Sequence, residues 1–107
     1  MKREALRLHY ELGNPHKVLD SLGRIANTHA HDGRGGLAIQ LVSASLALHE
    51  EAGLMVPLYQ QRRNEEMLQV LHEQLEETAF DVAWAEGAKM TLDEAVALAL
   101  GEAERDA

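Results

Sequence analysis

Six histidines and eighteen carboxylates in a 107-residue chain supply the ingredients of metal or acid–base chemistry, so their spacing decides whether such chemistry is built. His29-Ala30-His31-Asp32 sets two imidazoles and a carboxylate side by side, donors of the kind zinc takes. At a helix end, side chains two positions apart diverge, whereas a His-x-His metal site needs extended backbone. The segment therefore reads as a solvated helix end, where partly cationic histidine complements the helix dipole. His72-Glu73 opens like the HExxH motif of zinc proteases, but Glu76 stands where the second histidine is required. His49-Glu50-Glu51 fails in the same way, with Gly53 in that place. His72 and Glu76 share a helix face, and without further ligands that face reads as charged and outward.

Nucleophilic chemistry has as little to build on. The chain has no cysteine, and Ser21, Ser43 and Ser45 fall within helical patterns and not in a strained elbow. Glu50, Glu51, Glu65, Glu66, Glu73, Glu76 and Glu77 are spaced as exposed faces, and nothing places two of them in a dry pocket. Phe80 and Trp84 lie one helical turn apart, a spacing suited to anchoring the last helices to a core. The expectation is a protein without catalytic residues, metal or cofactor.

Composition narrows the partners. Ten Lys and Arg against eighteen Asp and Glu give a formal charge of −8, which repels nucleic-acid backbones and anionic lipid. The adjacent cationic pairs are Lys2-Arg3 and Arg62-Arg63, and the second runs into Glu65-Glu66, so no basic stripe forms. The most apolar stretch, Leu37 to Leu48, is broken by Gln40, Ser43 and Ser45 and falls short of the roughly 18 residues of a membrane span. Met1-Lys2-Arg3-Glu4 leads into a mixed pattern and not a signal core, which makes a cytoplasmic address the expectation.

Ala, Leu and Glu dominate and period-two alternation is missing, so the fold class expected is all-α, with about six helices in one domain. The first helix covers about Lys2 to Leu12, carries Ala5, Leu8 and Leu12 on one stripe, and ends at Gly13. Asn14 caps the second and Pro15 suits its first turn; Val18, Leu19, Leu22, Ile25 and Ala26 form its stripe up to His31-Asp32-Gly33. The third, about Gly35 to Ala52, is apolar around much of its circumference and should be central, with Gly53 as its stop. A fourth helix, about Leu58 to Glu76, shows a narrow stripe of Leu68, Leu71 and Leu75, with Arg62, Arg63, Glu65, Glu66 and Glu73 outside it. A short fifth follows, with Phe80, Ala83 and Trp84 in phase and an end at Gly87. Thr91-Leu92-Asp93-Glu94 is a capping box opening the sixth, whose stripe of Leu92, Ala95, Val96, Ala99, Leu100 and Ala103 precedes the polar tail Glu104-Arg105-Asp106.

Leu22-Gly23-Arg24-Ile25-Ala26, a turn at Asp32-Gly33, and then Ala38 and Val42 resemble a tetratricopeptide repeat, with about three extra residues between Gly23 and Ala38. Ala79 to Gly87, followed by Met90-Thr91-Leu92-Asp93-Glu94-Ala95-Val96, is similar to the C-terminal end of large bacterial transcriptional regulators of the LuxR and SARP kind. The likeness runs from about Leu6 to Leu100. It implies antiparallel helical hairpins over residues 1–53, capping helices over 54–107, and a role in sensing or binding partners for nucleotide-binding and DNA-binding parts elsewhere. No GxxxxGK[ST] loop is present, and Gly33-Arg34-Gly35-Gly36 lacks its lysine, so neither ATP nor DNA binding carries over. Gln40 and Ser43-Ala44-Ser45 depart from that family's alanine-rich texture.

Repeat geometry, in which the first helix of each pair lines the inner surface, puts Lys17, Asp20, Arg24, Asn27 and His31 on the expected partner-binding side. Repeat arrays need about three units or caps to cover their faces, so Ala5, Leu8 and Leu12 are expected to mediate self-association into a homo-oligomer. The function expected is a non-catalytic protein-interaction domain. The alternative is a free-standing homodimer with a regulatory small-molecule pocket near Tyr59, Phe80 and Trp84.

Overall fold

Local signals set the helix boundaries. The computed structural model describes the backbone of residues 2–101 and the side chains of residues 4–101. It contains α1 (Lys2–Glu11), α2 (Pro15–His31), α3 (Gly35–Ala52), α4 (Leu58–Gln74), α5 (Glu77–Ala88) and α6 (Leu92–Ala99), with no strand among the described residues. The Asn14 side chain accepts from the Lys17 amide at 3.3 Å, and Pro15 follows where a missing N–H costs nothing. Gly53 ends α3 in the left-handed conformation, φ +71°. The Thr91 hydroxyl accepts from Glu94 N while the Glu94 carboxylate accepts from Thr91 N, closing the capping box at both ends.

α2 and α3 form the centre. Leu22, Ile39, Leu41, Val18 and Val42 are fully buried between them and their neighbours. Each contributes roughly 1.5–3 kcal/mol by leaving water, the main driving force for a domain this small. α3 meets α2, α5, α6 and α4, as its all-round apolar character requires. α5 lies along α3, α4 against α2, and α6 closes over α1, α2 and α3. The Tyr10 phenol donates to the Asp93 carboxylate and ties α1 to α6; that bond to an anion raises the phenol above its ordinary pKa. α4 and α5 touch each other only lightly, because each rests mainly on a different member of the central pair.

Several expectations need correction. The stripe expected for α1 omits Leu6, its buried residue among the described side chains; Ala5, Leu8 and Leu12 are exposed, as a self-associating face requires. Gly87 does not end α5, which continues to Ala88. Gly87 is instead the point of closest approach to α3: a Cβ there would overlap the Gln40 carbonyl oxygen and come within 2.8 Å of Ser43 Cβ. α4 buries Gln60, Asn64, Met67 and Leu71, a stripe rotated from the expected one, with Leu68 and Leu75 only partly buried at its flank. The described part of α6 ends at Ala99 with Leu100 and Gly101 in a turn. Ala103 and Glu104-Arg105-Asp106 lie outside the described residues.

Candidate functional site

The most polar contact in the fold is where α4 crosses α2. Gly23 leaves a gap in the surface of α2, and the Arg63 guanidinium occupies it: a Cβ on Gly23 would overlap Nη2. Arg63 therefore belongs to the interface and not to the outer face expected for it. Its Nη1 lies 3.7 Å from Asp20 Oδ1, and Arg24 Nε donates to Asp20 Oδ2 at 3.0 Å. Burial lowers the Arg63 pKa from its ordinary value, and the Asp20 carboxylate opposes that shift. Arg63 Nε, Arg63 Nη2 and Asn64 Oδ1 are buried without a hydrogen-bond partner among the described residues. Such groups are uncommon in folded proteins, since each forfeits its bond to water.

This crossing divides the expected partner-binding residues between two clefts. On one side, Lys17 and Asp20 of α2 face Tyr59 and Gln60 of α4, with His16 and the buried His49 completing a cleft of about 160 Å³. On the other, Asn27 and His31 face Arg63, Met67 and Val70 across a cleft of about 330 Å³. Arg24 stays exposed beside Asp20. Lys17, Asp20, Arg24, Asn27 and His31 thus follow one face of α2, which the contact with Arg63 of α4 interrupts between the two clefts.

The remaining candidates have other surroundings. His29 is buried, contrary to the solvated helix end expected, and only His31 of that pair is exposed. His72 is exposed as expected of the outer face of α4, yet its ring stacks on Phe80 at 3.7 Å between centroids, and Phe80 stacks on Trp84 at 6.2 Å. Tyr59 sits thirteen residues before His72 on the same helix, about 20 Å away along its axis. Tyr59 therefore does not share a pocket with Phe80 and Trp84. The serines join helices: Ser43 Oγ donates to Trp84 O at 2.6 Å and Ser45 Oγ to Leu19 O at 3.3 Å. No group of three or more His, Asp or Glu side chains among the described residues is placed to hold a metal, and no helix among them is long and apolar enough to cross a membrane.

Sequence reasoning missed Gln60, Asn64 and His49, because a polar residue inside a buried stripe leaves no mark on hydrophobic periodicity. Position was the available signal, since Gln60, Asn64, Met67 and Leu71 repeat at spacings of four, three and four. Comparison with known proteins finds no matching family model, no matching curated protein and no matching solved structure.

Proposed function

We propose that the chain is a non-catalytic protein-interaction domain, the tetratricopeptide-like C-terminal sensor or interaction part of a bacterial transcriptional regulator. The observation behind this reading is an apolar end surface. α1 ends, α2 begins, α3 ends and α4 begins at one end of the stack, joined by short connections. Leu12 (70 % exposed), Met55 (87 %), Leu58 (60 %) and Tyr59 (55 %) all lie at that end. A cleft of about 240 Å³, apolar but for Glu51, opens between Pro15, Leu19, Leu48, Glu51, Ala52 and Leu92. Large apolar side chains left in water support this reading, because a protein partner would cover them. Leu8 and Leu12 extend the surface along α1 and offer a second copy a place to pack.

Sedimentation at rising concentration tests this. The wild-type chain is expected to associate, and Leu8→Lys with Leu12→Lys to shift it to monomer with an unchanged far-ultraviolet spectrum. A strictly monomeric wild type at millimolar concentration counts against self-association through α1. The regulator assignment predicts nucleotide-binding and DNA-binding segments upstream in the same reading frame, and a stop codon there removes it.

A further inference from the structure

We infer that the cleft between the carboxy-terminal half of α2 and the middle of α4 binds an uncharged small molecule, an apolar ring or short chain bearing one neutral hydrogen-bonding group such as an amide or an alcohol. α2 and α4 run side by side in the same direction, since their first turns meet at one cleft and their later turns at this one. The cleft therefore lies away from the apolar end surface proposed to meet proteins, and its occupant is additional to that partner.

Depth and lining define the body of the ligand. The space is about 330 Å³, at the lower end of the roughly 300–1,000 Å³ typical of small-molecule sites. Ala30, Met67, Val70 and Leu71 supply its apolar surface. Met67 and Leu71 belong to the hydrophobic core and Ala30 packs against it, so this surface is formed before any ligand arrives. Val70 is 49 % exposed, apolar area that an occupant takes out of water. A protein partner finds less to cover here, because Val70 is the one large exposed apolar side chain of the lining and Asn27, His31 and Glu66 are polar.

Charge and hydrogen bonding define the functional group. With histidine neutral, Arg63 brings one positive charge to the lining and Glu66 one negative, and Arg63 already faces Asp20 at 3.7 Å. Neither sign is in excess, so a charged ligand finds nothing to offset the water it gives up. Asn27 is half-buried, and its side-chain amide has no hydrogen-bond partner among the described residues. That amide both donates and accepts. One neutral amide or hydroxyl placed against it satisfies the polar groups of both molecules.

Two-dimensional NMR of the full chain with neutral probes tests this. Benzamide and cyclohexanecarboxamide are expected to shift the Asn27, Ala30 and Val70 signals saturably, with a dissociation constant of about 1 mM, as molecules of this size allow. Toluene, which lacks the polar group, and benzoate and benzylamine, which are charged, are expected to bind at least fivefold more weakly. Ala30→Leu fills the cleft and is expected to abolish the shifts. Val70→Ser, at an exposed position that leaves the fold intact, is expected to weaken binding at least threefold. Asn27→Leu is expected to bind toluene as tightly as benzamide, a loss of discrimination that general loosening of the fold does not produce. Absence of saturation at ten times the expected concentration overturns the inference, and so does toluene or a charged probe matching benzamide in the wild type. The same signals moving with protein concentration alone would show a second copy in the cleft and overturn the small-molecule occupant. Self-association through α1 is read separately by sedimentation, so neither result decides the other.

Discussion

Two glycines mark two kinds of helix contact. Gly87 lets α5 press its backbone against α3 until the Gln40 carbonyl and Ser43 fill the space a side chain would take. Gly23 lets α4 approach α2, but what fills the gap is the end of a flexible Arg63 side chain. The first contact is backbone on backbone, tied by the Ser43 bond to Trp84 O, and has little room to adjust. The second is built from Arg63, Gln60, Asn64 and Asp20, with unpartnered polar atoms inside it and a cleft on either side. One side of the α2–α3 pair is sealed, and the other is held apart by polar groups. Buried polar atoms of Arg63 and Asn64 lack partners at the second contact, which leaves it less fully satisfied than the first.

The largest test of this contrast is Gly87→Ala. The added methyl meets backbone that cannot swing aside, so α5 must move off α3, at an expected cost of about 1–3 kcal/mol. The Tm is expected to fall by roughly 4–8 °C for each kcal/mol. Trp84 emission should shift as the helices part. Equal stability of Gly87→Ala and wild type would mean that the α3–α5 contact is looser than described. Ser43→Ala removes the buried bond to Trp84 O and is expected to cost about 1 kcal/mol, read from urea unfolding. Gly23→Ala sharpens the comparison, since its methyl meets only the guanidinium of Arg63. Alanine gains up to about 1 kcal/mol in helix propensity, and displacing Arg63 offsets part of it. The net change should stay within about 1 kcal/mol of zero by that propensity, and a loss as large as that of Gly87→Ala would erase the difference between the two sides.

The sealed side was the more legible in the sequence. Asn14, Gly53 and Thr91-Glu94 announced helix ends through chemistry that acts within a few residues, and α3 announced its central place by its apolar girth. Gly87 misled because one residue type serves two purposes: left-handed backbone at a helix end, as at Gly53, and absence of a side chain where two helices meet. Leu6 of α1 went unread because it lies on a different face of a short helix from Ala5, Leu8 and Leu12, and periodicity cannot say which face has a neighbour. The polar side was nearly silent. Nothing local distinguishes the partly buried Arg63 from the exposed Arg62, or the buried His49 and His29 from the exposed His31. For Arg63 the difference arises from Gly23 and the crossing of α4, a contact between residues far apart in the chain.

The smallest stability effect is expected where the polar side is replaced outright. Arg63→Met keeps an unbranched stem that reaches about as far as Nε and removes a charge whose desolvation is unfavourable, the cause of its lowered pKa. Asp20 is not orphaned by the change, because Arg24 Nε still holds it at 3.0 Å. Breaking a buried pair is costly when it strands a charge, whereas substituting an apolar side chain of similar volume is often neutral or stabilising. Thermal unfolding of Arg63→Met should therefore lie within about 1 kcal/mol of wild type or above it, and adding salt should not widen the gap. A large loss of stability would make Arg63 a structural keystone and return the two sides of α2–α3 to the same footing.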